Sequence, residues 1–170
     1  PLWTLSAGDG TKTVYVKFRN ALGTESSCIN DSIILDTTAP SKPSAIALLS
    51  PSTSPNNVVQ PTIQISGVVT GDTVELFKND NTCGVSNQLA SGVVASSQTI
   101  ISLQSSVLTA GSYTFYAKSS DPVGNSLGCS VVNVAYVLDT TAPTAPTGVS
   151  LGAATAATTE TPVLSWSAAT

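Results

Sequence analysis

The chain has 170 residues, of which only 9% are charged, with a net charge of −4, six basic side chains and no histidine. Basic residues this few and scattered exclude a phosphate-binding surface, so nucleic acid is not an expected partner, and no run of eighteen apolar residues exists to cross a membrane as a helix. The commonest general base is missing and the acids are dispersed over turns, so the chain is not expected to be an enzyme.

In chain order, a strand is predicted over 12–19, with Tyr15 pointing outward. Pro40 and Pro43 deny ladder donors and mark an extended linker into a strand over 44–49. The segment 62–66 places Ile63 and Ile65 on one face. After a turn at Gly71-Asp72, the segment 73–78 alternates Val74, Leu76 and Lys78 against Glu75 and Phe77. Residues 79–87 are polar, rich in turn formers, and hold Cys83. A strand over 98–103 follows, then a turn at Ala110-Gly111 and the clearest strand, 112–119. There Tyr113, Phe115 and Ala117 face the core, and Thr114, Tyr116 and Lys118 face out, so Lys118 is expected to be solvated. Residues 121–125 form a hairpin-like turn, and 130–138 puts Val132, Val134, Tyr136 and Leu138 on one face. A last strand is predicted over 161–167. About seven short strands with turn signals between them, and no amphipathic helix, specify an all-β sandwich.

The chain also repeats itself. Leu35-Asp36-Thr37-Thr38-Ala39-Pro40 returns as Leu138-Asp139-Thr140-Thr141-Ala142-Pro143, 103 residues on. Thr13-Val14-Tyr15-Val16-Lys17 matches Thr114-Phe115-Tyr116-Ala117-Lys118 at a spacing of 101, as do Gly23 with Gly124 and Cys28 with Cys129. Gln60-Pro61-Thr62-Ile63 matches Thr161-Pro162-Val163-Leu164 at 101. A period of about 100 residues is one β-sandwich module. The phase gives the end of one module (1–38), a complete module (39–140) and the start of a third (141–170). The two partial modules are expected to be completed by further chain or by strand exchange between neighbouring molecules, with Trp3 and Trp166 as their core anchors.

The strand at 113–118, the Asp121-Pro122-Val123-Gly124-Asn125 turn and the Asp139-Thr140-Thr141-Ala142-Pro143 junction together resemble the bacterial immunoglobulin-like repeats of large surface and secreted proteins. The segment from Trp3 to Val16 resembles a related subtype, whose turn reads Asn20-Ala21-Leu22-Gly23-Thr24. Pro162-Val163-Leu164-Ser165-Trp166 is similar to the second strand of a fibronectin type III-like module. The resemblance implies tandem immunoglobulin-like sandwiches forming a stalk or fibre outside a bacterial cell, adhesin-like, whose partners are the neighbouring modules. Two other functions are carried beside it: a module binding a glycan or protein on another surface, and an accessory spacer of a secreted hydrolase.

Cys28 and Cys129 are equivalent in the repeat. The simplest account is one disulfide per module, Cys83 with Cys129, and Cys28 with a cysteine upstream of Pro1. A bridge closing 46 residues would contribute about 3–4 kcal/mol in the chain-entropy model and belongs in an oxidising compartment. The alternatives are free buried thiols or a metal site, and three cysteines without histidine lack zinc-ligand spacing.

No cofactor is required by any of these readings. Calcium is the one candidate ion: Asp36 and Asp139 lie at junctions, and Asp121 with Asn125 lies in the nearby turn. The alternative is that these side chains cap turns through backbone hydrogen bonds. Tyr15 and Tyr116 recur at outward positions and are candidates for stacking on a sugar or partner, or for cross-strand pairing.

Overall fold

The computed structural model describes residues 3–151 and 164–167, and the chain divides into two compact units, Pro1–Leu138 and Asp139–Thr170. In the first unit the strands are β1 (Gly10–Val16), β2 (Ile29–Leu35), β3 (Ala45–Ser50), β4 (Thr62–Ser66), β5 (Thr73–Lys78), β6 (Gln88–Val93), β7 (Ile100–Gln104), β8 (Gly111–Ser120) and β9 (Val134–Leu138). The second unit holds β10 (Thr147–Leu151) and β11 (Leu164–Ser167), an antiparallel pair. The strand expected over 161–167 is β11, and residues 161–163 lie outside the described residues.

Strands β3 to β9 make two antiparallel sheets, ordered β3-β4-β7 and β6-β5-β8-β9. Period-two alternation sends one side chain in two to the interior. Ile46, Ile63, Ile65 and Leu103 come from the first sheet, and Val74, Leu76, Phe115, Ala117, Tyr136 and Leu138 from the second. Val68, Val94 and Leu108 on the connections close the ends of the core. Each large side chain so buried contributes about 1.5–3 kcal/mol. The strand order and the single shared core are those of an immunoglobulin-like β-sandwich.

One strand, β6, has no counterpart among the predicted elements. Its sequence Gln-Leu-Ala-Ser-Gly-Val has one β-branched residue and a glycine. Gly92 is a packing glycine: a Cβ there would lie 3.0 Å from Leu103 Cδ2 and 3.1 Å from Ile101 Cδ1. The other sheet lies that close to β6 only because the side chain is missing.

The far edge of β9 is covered by the connection between β3 and β4. Val137 N–H donates to Ser54 Oγ (2.8 Å), Asn56 N–H donates to the Val137 carbonyl (3.0 Å), and the Tyr136 hydroxyl donates to the Val58 carbonyl (2.7 Å). Burial raises the Tyr136 phenol above its ordinary value, and its bond to Val58 opposes that shift.

The strand expected over 130–138 begins only at Val134. Phe115 pairs with Val134 and Lys118 bridges to Cys129, so three steps along β8 face five along the other chain. Two extra residues bulge out here, which accounts for the repeat spacing growing from 101 to 103. Ser130 pins the bulge: its N–H donates to the Ala117 carbonyl (2.7 Å), its hydroxyl donates to the Val132 carbonyl (2.8 Å), and its Oγ accepts from Ala117 N–H (3.1 Å).

The outer face of the four-stranded sheet carries a second small core. Cys83 and Cys129 are bonded, and with the fully buried Phe77 they form a cluster against which Tyr116 packs. Lys118, expected to be solvated, instead meets Glu75 directly across the strands, with Nζ 2.7 Å from Oε2 and 5.6 Å from the Phe77 ring centre. Its alkyl stem and charge are both satisfied by neighbours on that face.

Strands β1 and β2 pair antiparallel through seven consecutive residue pairs, Gly10 with Leu35 to Val16 with Ile29. Val16, Ile29 and Ile33 share one face and are exposed. Trp3 and Trp166, expected as core anchors, are 76% and 63% exposed, because among the described residues β1 pairs only with β2 and β10 only with β11.

Candidate functional site: the junction at residues 36–40

Two of the residues singled out in the sequence, Asp36 and Asn125, meet at the stretch that leaves β2. The Asp9 carboxylate accepts from both Thr37 N–H (2.9 Å) and the Thr37 hydroxyl (2.7 Å) through Oδ1, and from the Thr38 hydroxyl through Oδ2. Asp36 Oδ1 accepts from Thr38 N–H at 3.0 Å. From the following sandwich, Asn125 donates a side-chain N–H to the Asp36 carbonyl at 3.1 Å. The stretch that leaves β2 is therefore held by Asp9, just before β1, and by Asn125, in the turn after β8.

Each anchor is built locally. Asp9 lies between Gly8 and Gly10, both at positive φ, so the chain turns and aims the carboxylate at the end of β2. Hydroxyl donation from Thr38 and Thr37, then the Thr37 amide, holds Asp9 below its ordinary pKa. The Asp121 turn is an Asx-type cap: Oδ1 accepts from the N–H groups of Val123 (3.0 Å), Gly124 (2.7 Å) and Asn125 (2.8 Å), and Oδ2 accepts from Asn125 Nδ2 (2.8 Å). Desolvation works to raise its pKa, but the Asn125 side chain and these backbone donors prevail and lower it.

Of the four candidate calcium ligands, three thus meet through hydrogen bonds. Asp121 spends both oxygens on N–H groups, and Asn125 presents its donor side to the Asp36 carbonyl. Calcium is held by convergent oxygen lone pairs, and among the described residues no group of three or more His, Cys, Asp or Glu side chains comes together. Asp139, in the second unit, accepts from Thr141 N–H at 2.8 Å, the same local cap that Asp36 makes with Thr38. The geometry present is that of turn caps.

The two tyrosines are in different settings. Tyr15 is 67% exposed on β1, opposite Asn30. Tyr116 faces away from the main core as expected, yet it pairs with Phe77 and is half-buried against the disulfide. A shallow concavity beside Trp3 and Leu5 also involves Thr11 to Val14; its one cation, Lys12, donates to the Ala7 carbonyl at 3.2 Å.

Two sites escaped the sequence reading. Asp9 was one. The other is Asp80, which organises the loop bearing Cys83: Oδ1 accepts from Thr82 N–H (2.8 Å) and its hydroxyl (2.6 Å), and Oδ2 from Gly84 N–H (2.9 Å) and Asn87 Nδ2 (3.0 Å). Those donors, Thr82 foremost and then Asn87, hold its carboxyl far below the usual range. Cys28 is exposed and unbonded, unlike its equivalent Cys129.

No protein-family model matches the chain, and no curated protein is similar to it.

Proposed function

We propose that the chain is a load-bearing segment of a tandem immunoglobulin-like array, a stalk or fibre of a bacterial surface or secreted protein, adhesin-like in kind. The observation that carries this reading is the junction: Thr37 and Thr38 are gripped by Asp9, and the Asp36 carbonyl is gripped by Asn125. A linker free to bend would leave those donors and acceptors to water. The internal repeat supports the array, and the Cys83–Cys129 bond supports an oxidising, extracellular setting. Mechanically, the bond shields the 46-residue span between the cysteines from extension while the rest of the sandwich yields.

Pulling the chain by its two ends tests this. One force peak is expected from the sandwich, and reductant is expected to release about 160 Å of further length at about 3.5 Å per residue. A chain that extends without a force peak would overturn the reading. Saturable binding to arrayed glycans or surface proteins, lost in Tyr15→Ala, would put a binding module in its place.

A further inference from the structure

We propose that the turn at 121–125 is a docking element for the module that precedes it, and that Asn125 is the residue that makes the contact, gripping the main-chain carbonyl of Asp36. The inference rests on the tandem-array reading and names the surface by which consecutive modules engage.

The argument starts from a turn made twice. In the first module, Asn20 Oδ1 accepts from Leu22 N–H (3.0 Å) and Thr24 N–H (2.9 Å). Gly23 N–H donates to the Asn20 carbonyl (3.0 Å), and Asn20 N–H to the Thr24 carbonyl (3.0 Å). In the second module, Asp121 Oδ1 accepts from Val123 and Asn125 N–H, Gly124 N–H donates to the Asp121 carbonyl (3.1 Å), and Asp121 N–H to the Asn125 carbonyl (3.1 Å). Gly23 and Gly124 both take positive φ, 87° and 100°. The two turns are the same object. The first is closed with threonine at its fifth position, so closure does not require asparagine there.

What asparagine adds is a second donor. A side-chain amide carries two hydrogens on one nitrogen. Asn125 gives one to Asp121 Oδ2, which fixes its rotamer, and the other to the Asp36 carbonyl. The acceptor is fixed as well, because Asp9 holds Thr37 and Thr38 immediately after it. Both sides of the contact are organised before they meet, so little side-chain freedom is lost on docking. The partner that fits is a module whose last strand ends in a main-chain carbonyl held outward by such a cap. A turn ending in threonine, like that at 20–24, presents no amide and does not dock in this way.

The test uses the full 170-residue chain in partially aligned solution, with residual dipolar couplings read for the amides of β1–β2 and of β3–β9. One alignment tensor is expected to fit both sets in the unmodified protein. Asn125→Thr, which copies the first turn, is expected to leave the 121–125 amide shifts in a closed-turn pattern and to split the fit into two tensors. Asp9→Ala is expected to widen the split. If β1–β2 loses its dispersed shifts in Asp9→Ala, Asn125→Thr decides alone. Two tensors in the unmodified chain, or one in Asn125→Thr, would overturn the proposal. So would a split produced in the unmodified chain by EDTA, which would place an ion at the joint. The pulling experiment reads the strength of the sandwich, so the array reading and this docking contact fail separately.

Discussion

Strands β1 and β8 are written in matching sequence, yet the pairs they form with β2 and β9 end in opposite environments. Both are antiparallel pairs, and Gly10 with Leu35 occupies the register of Gly111 with Leu138. Val14 and Ile33 stand where Phe115 and Tyr136 stand. The latter pair is fully buried under the three-stranded sheet, whereas Ile33 is 57% exposed. Strand pairing is thus specified locally, by alternation and turn chemistry, and burial is specified by what packs above. The pair β8–β9 also differs in carrying a bulge and a disulfide at the end where β1–β2 runs straight and Cys28 stays free.

The sharpest way to break the comparison is to truncate equivalent side chains. Phe115→Ala is expected to cost about 3–5 kcal/mol in denaturant unfolding, through lost transfer energy and a cavity. Val14→Ala, its counterpart, is expected to leave the same transition where it is. Next, Cys83→Ser with Cys129→Ser is expected to lower stability by about 3–4 kcal/mol, and Cys28→Ser to change nothing in that transition; equal effects would mean the two cysteines are equivalent after all. Ser130→Ala should cost about 1–2 kcal/mol in the same assay, since it strips a partner from buried Ala117 N–H. It has no parallel in β2, where Ile29 takes that place.

The acid response sharpens the contrast at the junction. Asp9 titrates below its ordinary value of 3.8, so its contribution is complete above that pH and fades as pH falls through the lower, folded value. Loosening of the junction is therefore expected only below about pH 4, followed by the dipolar couplings of β1–β2, and Asp9→Asn is expected to flatten that response. The smallest effect expected is at Glu25, whose ion pairs with Lys17 and Arg19 are exposed: Glu25→Gln should leave the melting temperature unchanged. Lys118→Met, which removes the half-buried pair with Glu75, should lower stability by about 1 kcal/mol.

Much of the sandwich could be read from alternation alone. Strands β4 and β5 carry their predicted bounds because Ile63, Ile65, Val74 and Leu76 alternate cleanly between turn residues. Strand β6 was illegible because its defining residue, Gly92, acts by what it lacks, and the neighbours that need the space come from β7. The late start of β9 was present in the sequence as the change of spacing from 101 to 103, a signal of a bulge rather than of a longer loop. At the junction, Asp36, Asp121 and Asn125 were singled out together, and the structure joins them as donors and acceptors. Asp9 was hidden by the repeat itself, since Ala110 stands at the equivalent position. Tyr116 faces away from the main core as its alternation predicts, but a disulfide roof that buries Phe77 on that face leaves no trace in periodicity.

The covered edge of β9 has a consequence for crowding. In the proposed array, modules strung on one chain would meet each other at an effective concentration in the millimolar range, and β2 and β9, which take equivalent places in the repeat, could exchange partners between neighbours. An exposed β9 edge would invite such misassembly whenever a module of that array unfolds and refolds. Ser54 and Asn56 already occupy its hydrogen-bonding positions, so the foreign strand finds the edge taken.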